Sequence, residues 1–190
     1  MPDSQLLSYR VSMLRENLAA ETSLPPAQCQ AVLALIDPEY IQTLERLSKD
    51  AWVSAATTAH VGEALYKELS PEQYMAFWRK MVQRMTGLPR FDAVATTLIR
   101  KFTTPRMMAK AIPQGVNLVT RNQGVFTVES FDNHAILTIA GVPAVSRTHC
   151  VIVSQEAAYG GVVGLVQPHG ISVTADLSDA ESGIVRHKIC

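Results

Sequence analysis

Three cysteines (Cys29, Cys150, Cys190) and five histidines (His60, His134, His149, His169, His187) are the side chains best suited to hold a metal or to act as nucleophile and base. Their spacing supports little of that chemistry. The cysteines are odd in number, far apart and form no CxxC pair, so neither a zinc knuckle nor a disulfide framework is implied. The zinc motif HExxH is absent, and His149 and Cys150 are neighbours that would face opposite ways on a strand. Suitable pairing of the last strands would let His149, His187 and Cys190 converge, and with Cys150 these are the weaker alternative, a metal site. Cys150 as a nucleophile needs a low-pKa setting, whereas Val151-Ile152-Val153 after it point to burial. Gly160-Gly161-Val162-Val163-Gly164 lacks the Lys-[Ser/Thr] of a phosphate loop and the GxGxxG of a dinucleotide fingerprint, and no GxSxG elbow occurs. No catalytic residues are assigned.

What remains is apolar and aromatic. Trp52, Trp78, Met81, Met85 and Phe102 are the candidates to line a pocket. Arg100, Lys101, Arg106 and Lys110 make at most a modest basic face, more simply read as a solvated one.

Residues 1–112 read as helix. Leu7, Val11, Leu14 and Leu18 fall on one stripe of a first helix. Pro25-Pro26 opens a second, carrying Cys29, Val32, Leu33 and Ile36, and Asp37-Pro38-Glu39 opens a third through Ile41 and Leu44. Residues 51–69 are rich in alanine and suit a central helix. Ser70-Pro71-Glu72-Gln73 is a capping box. The helix it starts puts Tyr74, Trp78, Met81 and Met85 on one stripe, expected to pack against the strands that follow. Phe91, Val94, Leu98 and Phe102 mark a further helix, and Thr104-Pro105 begins a short one.

Residues 113–190 change character. Segments 116–120, 125–131 and 134–140 alternate as a three-stranded antiparallel meander, with Gly124 and Asp132-Asn133 in the turns. Ile171, Val173, Ala175 and Leu177 alternate with polar residues, and 184–190 makes a last strand. Between them 150–153 is β-like, although 146–154 fits strand or helix. Residues 154–166 fit a helix with a smooth face at Ala157, Ala158, Gly161 and Gly164. The fold class expected is therefore α+β: about six or seven helices on a C-terminal antiparallel sheet with one inserted Gly-rich helix. Residues 1–190 form one domain on this reading.

Composition narrows the partners. Lys+Arg and Asp+Glu are equal at 17 each, which disfavours nucleic acid, and 47% hydrophobic residues exclude a disordered chain. No apolar run spans a membrane and no secretory signal is visible, so a cytoplasmic protein is expected. With 18% charged residues, association through an apolar surface is also expected, as a homodimer or with a protein partner. The candidate surfaces are Leu7 and Leu14 on the first helix, and Ala157, Gly161 and Gly164.

The order of helical half, meander, Gly-rich helix and terminal hairpin resembles a superfamily uniting haem–nitric-oxide-binding domains, 4-vinyl-reductase-type ligand domains and the small subunits of the TRAPP tethering complex. Within it the chain is most similar to a family of comparably sized proteins abundant in myxobacteria. The matching stretches are Ala51-Trp52, 77–85, 105–111 with Asn117, and 160–173. The resemblance implies an α+β sensory or interaction module taking an apolar small molecule between helices and sheet. It does not carry over a cofactor. The haem members use a histidine on the helix before the meander and a Tyr-x-Ser-x-Arg motif, whereas no histidine lies between Val61 and Asn133 and the motif is absent. The vinyl-reductase-type cysteine cluster is matched near Cys150 only, with Ala180 and His187 near its other two places. No cofactor is therefore expected. The alternative is a metal- or haem-dependent sensor or small enzyme using the C-terminal His and Cys residues.

Overall fold

The computed structural model describes residues 7–15, 24–86, 96–97, 104–167 and 169–190. The elements in chain order are β1 (Ser8–Arg10), a helical stretch at 11–15, α1 (Pro26–Leu35), α2 (Pro38–Arg46), β2 (Trp52–Ser54), α3 (Ala55–Glu68), α4 (Pro71–Thr86), α5 (Pro105–Ala109), α6 (Ile112–Val119), β3 (Thr120–Arg121), β4 (Val125–Ser130), β5 (Ala135–Ala140), α7 (His149–Val163), β6 (Val173–Asp176) and β7 (Ile184–Ile189). Single 3-10 turns at Ala144–Ser146 and Ala180–Ser182 join the later pieces. The α+β class expected from the sequence is the class observed. Among the described residues, no helix is long and apolar enough to cross a membrane.

Local capping chemistry sets most helix starts. The Asp37 carboxylate accepts from Glu39 N–H at 2.9 Å, and Ser54 Oγ accepts from Ala56 N–H at 3.3 Å. At α4 the box closes both ways. Gln73 N–H donates to Ser70 Oγ at 3.3 Å, and Ser70 N–H donates to Gln73 Oε1 at 3.0 Å. Thr104 Oγ1 accepts from Met107 N–H at the start of α5.

Two antiparallel sheets result, ordered β2-β1-β3 and β4-β5-β7-β6. In the larger sheet β5 turns Ala135, Leu137 and Ile139 inward with no exposure, while outer-strand Val125 is 68% exposed. Gly124 (φ 120°) lies in the turn before β4, where a Cβ would stand 2.5 Å from the Ala140 carbonyl oxygen.

Four expectations are corrected. Leu7 does not begin a helix, because 8–10 pair as a strand with β2 and β3 and helix starts only at 11; Leu18 lies outside the described residues. The Ala-rich helix starts at Ala55, since Trp52–Ser54 pair with β1. Residues 116–119 are the end of α6, whose Pro113 fits a first turn, and only Thr120–Arg121 are strand. That strand pairs with β1, so there is no three-stranded meander of consecutive strands: β7 lies between β5 and β6. Residues 150–153, where the sequence fits strand or helix, are helical. β-Branched side chains lose little in a helix once packing favours it.

The helix surrounded by protein is α7 rather than the Ala-rich α3. Cys150, Ile152, Gln155, Ala157, Tyr159, Gly160, Gly161 and Val163 are all buried, so residues on every side of it face other elements. It joins two cores. One contains Val11, Leu14, Val32, Leu44, Leu65, Tyr74, Phe77 and Met81; the other contains Met108, Ile112, Leu137, Ile139, Tyr159, Val185 and Ile189.

The small-residue face of α7 serves this packing. A Cβ on Gly161 would stand 3.2 Å from Val82 Cβ and 3.3 Å from the Arg79 carbonyl oxygen of α4. Ala157 is fully buried, and Gly164 is half-buried at the helix end. Leu7 and Leu14, at 4% and 5% exposure, are likewise enclosed by the chain's own core. Gly161→Leu is therefore expected to destabilise the isolated chain by about 1–3 kcal/mol, the usual cost of overpacking. Chemical denaturation checks this at concentrations low enough to exclude association, and a neutral outcome would separate Gly161 from the α4 contact.

Candidate functional site

A cavity of about 260 Å³ lies where the two cores meet. Three helices supply its walls by simple periodicity. From α4 come Tyr74, Trp78, Met81 and Met85; from α6, Ile112, Val116 and Val119; from α7, Val151, Gln155, Ala158, Tyr159 and Val162. Each set recurs at intervals of three or four residues, which is one face of a helix. Tyr9 of β1, Met13 and Leu14 of the 11–15 stretch, and Thr58, Ala59 and Val61 of α3 contribute further wall. The α4 stripe thus faces α7 and this cavity, and not the strands expected from the sequence. The cavity is bounded chiefly by helices, with β1 and β3 at its margin, and not by the larger sheet.

Most polar groups on the walls are engaged. The Tyr74 hydroxyl donates to the Cys150 carbonyl at 3.0 Å, Thr58 Oγ1 to Ala55 O at 3.0 Å, Ser154 Oγ to Val151 O at 2.7 Å and Thr120 Oγ1 to Val116 O at 3.0 Å. Three side chains differ, the indole N–H of Trp78 among them. Neither amide atom of Gln155 nor the Tyr159 hydroxyl has a hydrogen-bond partner among the described residues, although the residues are only 7% and 3% exposed. Burial drives the Tyr159 and Tyr74 phenols well above their ordinary pKa, so both stay protonated.

No charged side chain and no histidine or cysteine belongs to the described lining. Such walls offer no ionised nucleophile or acid–base pair at neutral pH.

Of the pocket candidates named from sequence, Trp78, Met81 and Met85 come together here, and Phe102 lies outside the described residues. Trp52 does not join them. It sits on β2 under the guanidinium groups of Arg121 and Arg10, at 4.0 and 4.7 Å from the ring centre. The histidines and cysteines stay apart. His149 is exposed and packs edge-on to Tyr66 at 5.6 Å, His187 is fully buried against Tyr159 at 4.9 Å, Cys150 is buried and Cys190 exposed. No three His, Cys, Asp or Glu side chains among the described residues stand together as an ion would require. Arg106 is tied to the β4–β5 turn, donating to the carbonyls of Phe131 and Asp132.

Sequence reasoning misses Gln155, Tyr159 and Tyr9. The signal for the first two is present. Gln155 and Tyr159 are spaced i, i+4 in an apolar stretch, but a strand reading of 150–153 gives them no common face with the residues before them.

The residues present do not fit a haem held in the manner of the haem–nitric-oxide-binding domains. That arrangement needs an imidazole for iron and cations for the propionates, and the described walls supply neither.

No family model matches the sequence, and no curated protein matches it. Solved structures do. The fold resembles the Fe(II) unliganded H-NOX protein from K. algicida with a TM-score of 0.63 at 8% identity, covering 95% of each chain. A mutant of that protein gives 0.64 at 8% identity, again covering 95% of each. At this level of identity the likeness is one of fold: the chain has an H-NOX-like α+β architecture over nearly its whole length.

Proposed function

We propose that this protein is a non-catalytic sensory module whose cavity binds a small, largely apolar molecule and passes its occupancy to a protein partner or a second copy. One observation carries the reading. The two cores meet around a cavity walled by Trp78, Met81, Met85, Val116 and Val162, without an ionised or nucleophilic side chain among its described residues. Sites for small molecules have this form, apolar and concave with few polar groups. The H-NOX-like fold of the neighbours supports a ligand domain of this kind. Because the walls come from α3 and α4 on one side and α6 and α7 on the other, an occupant would fix the spacing between the two cores.

Native and denaturing mass spectra of the purified protein test the proposal. The expected result is a small organic molecule lost on denaturation, or, if the protein purifies empty, a rise in melting temperature with apolar probes. A probe at a hundred times its Kd adds about 2.7 kcal/mol of stability. The visible absorption spectrum should lack a haem Soret band. A stoichiometric Soret band would replace this reading with the haem-dependent alternative. Absence of both copurified molecule and probe binding would leave the cavity a packing defect.

A further inference from the structure

Building on the binding role proposed above, we infer that the occupant of this cavity is a neutral molecule of ring size bearing a hydroxyl or carboxamide, which Gln155 and Tyr159 grip together. Four other wall polar groups, on Thr58, Tyr74, Thr120 and Ser154, already donate to backbone carbonyls. Gln155 and Tyr159 are different, being buried, unpartnered among the described residues and one turn apart on the cavity face of α7; the indole N–H of half-buried Trp78, across on α4, is unpartnered as well and adds one more donor. Buried polar atoms left unpaired are costly, and when they persist they commonly await a ligand or an ordered water.

Their chemistry defines the missing partner. The Gln155 amide offers two N–H donors and an accepting oxygen, and a phenol both donates and accepts. A group that donates and accepts within one or two atoms satisfies both residues; hydroxyl and carboxamide do so. A carboxylate or ammonium does not, because no described wall residue would neutralise its charge between these apolar walls. Size gives the rest. An apolar cavity of about 150 Å³ accepts benzene, so one of 260 Å³ accepts a larger body, such as two fused rings.

Equilibrium dialysis with naphthalene, 2-naphthol and 2-naphthoate, on the wild type and on Tyr159→Phe and Gln155→Leu, separates the possibilities. Each variant's melting curve is recorded first. Because the substitutions delete unpaired polar atoms, neither should lower stability appreciably. In the wild type 2-naphthol should bind about tenfold or more tightly than naphthalene, the worth of satisfying one buried polar group. The carboxylate should bind more weakly than either. In the variants the preference for 2-naphthol should shrink to about twofold or less while naphthalene binds as before. Equal binding of naphthol and naphthalene by the wild type would overturn the inference and leave the apolar-ligand reading intact. So would a preference that survives in both variants. Failure of every probe to bind the folded wild type would remove the cavity reading, and this inference with it.

Discussion

Tyr74→Ala is expected to cost about 3–5 kcal/mol of folding stability, the range for deleting a large core aromatic. Tyr74 is 1% exposed on α4, with its ring edge-on to Tyr66 at 5.1 Å and to Trp78 at 6.0 Å. Its hydroxyl reaches across to the first turn of α7, where the Cys150 carbonyl accepts at 3.0 Å. The residue therefore packs the N-terminal core and fastens it to the helix that closes the cavity. Tyr74→Phe isolates the second role and should cost about 1 kcal/mol, the usual net value of one buried hydrogen bond. Urea denaturation with an unchanged m-value measures both. A loss below about 1 kcal/mol in the alanine variant would remove this stripe from the core and undo the description of the cavity wall.

Much of this site is legible in the sequence, and what is not has a physical cause. The capping box at Ser70 fixes the phase of α4, so spacing alone places Tyr74, Trp78, Met81 and Met85 on one face. The alternation in β5 and β6 is equally plain, because one side of each strand is more buried than the other. Residues 150–153 are ambiguous in the sequence and 116–119 mislead, for different reasons. The helix through 150–153 is buried on every side and so lacks an amphipathic pattern, whereas 116–119 continue a helix that Pro113 opens. Trp52 shows the converse error. Its aromatic bulk suggests a pocket, but cross-strand pairing with Arg10 and stacking by Arg121 take it to the small sheet. Small residues on α7 suggest a partner surface only as long as α4 is left out, since Arg79 and Val82 fill that face.

Between neutral pH and pH 4 the protein should lose stability on the order of 3 kcal/mol through His187 alone, and His187→Leu should abolish that part of the loss. His187 is fully buried on β7, paired across the sheet with Leu137 and Ala175, and capped by the ring of Tyr159. Neither ring nitrogen has a hydrogen-bond partner among the described residues, and dehydration pushes its pKa from 6.5 down to about 4. The sign follows directly. The unfolded chain takes up a proton at this histidine as pH falls through its ordinary value, but the folded chain refuses it until about pH 4. Stability from the neutral imidazole is thus complete above the unfolded pKa and drains away at roughly 1.4 kcal/mol per pH unit below it. Carboxylates titrate in the same interval, so the measurement must be the difference between wild type and His187→Leu, from urea midpoints at pH 7, 6, 5 and 4. Any packing lost in the variant shifts its whole curve equally at every pH, so the slope is what decides. Parallel curves would mean that His187 is hydrated or paired in the folded state, and that the layer beneath Tyr159 is open to water. A shallower variant curve would establish a dry layer there, which is the condition for Tyr159 to hold its hydroxyl unpaired toward the cavity.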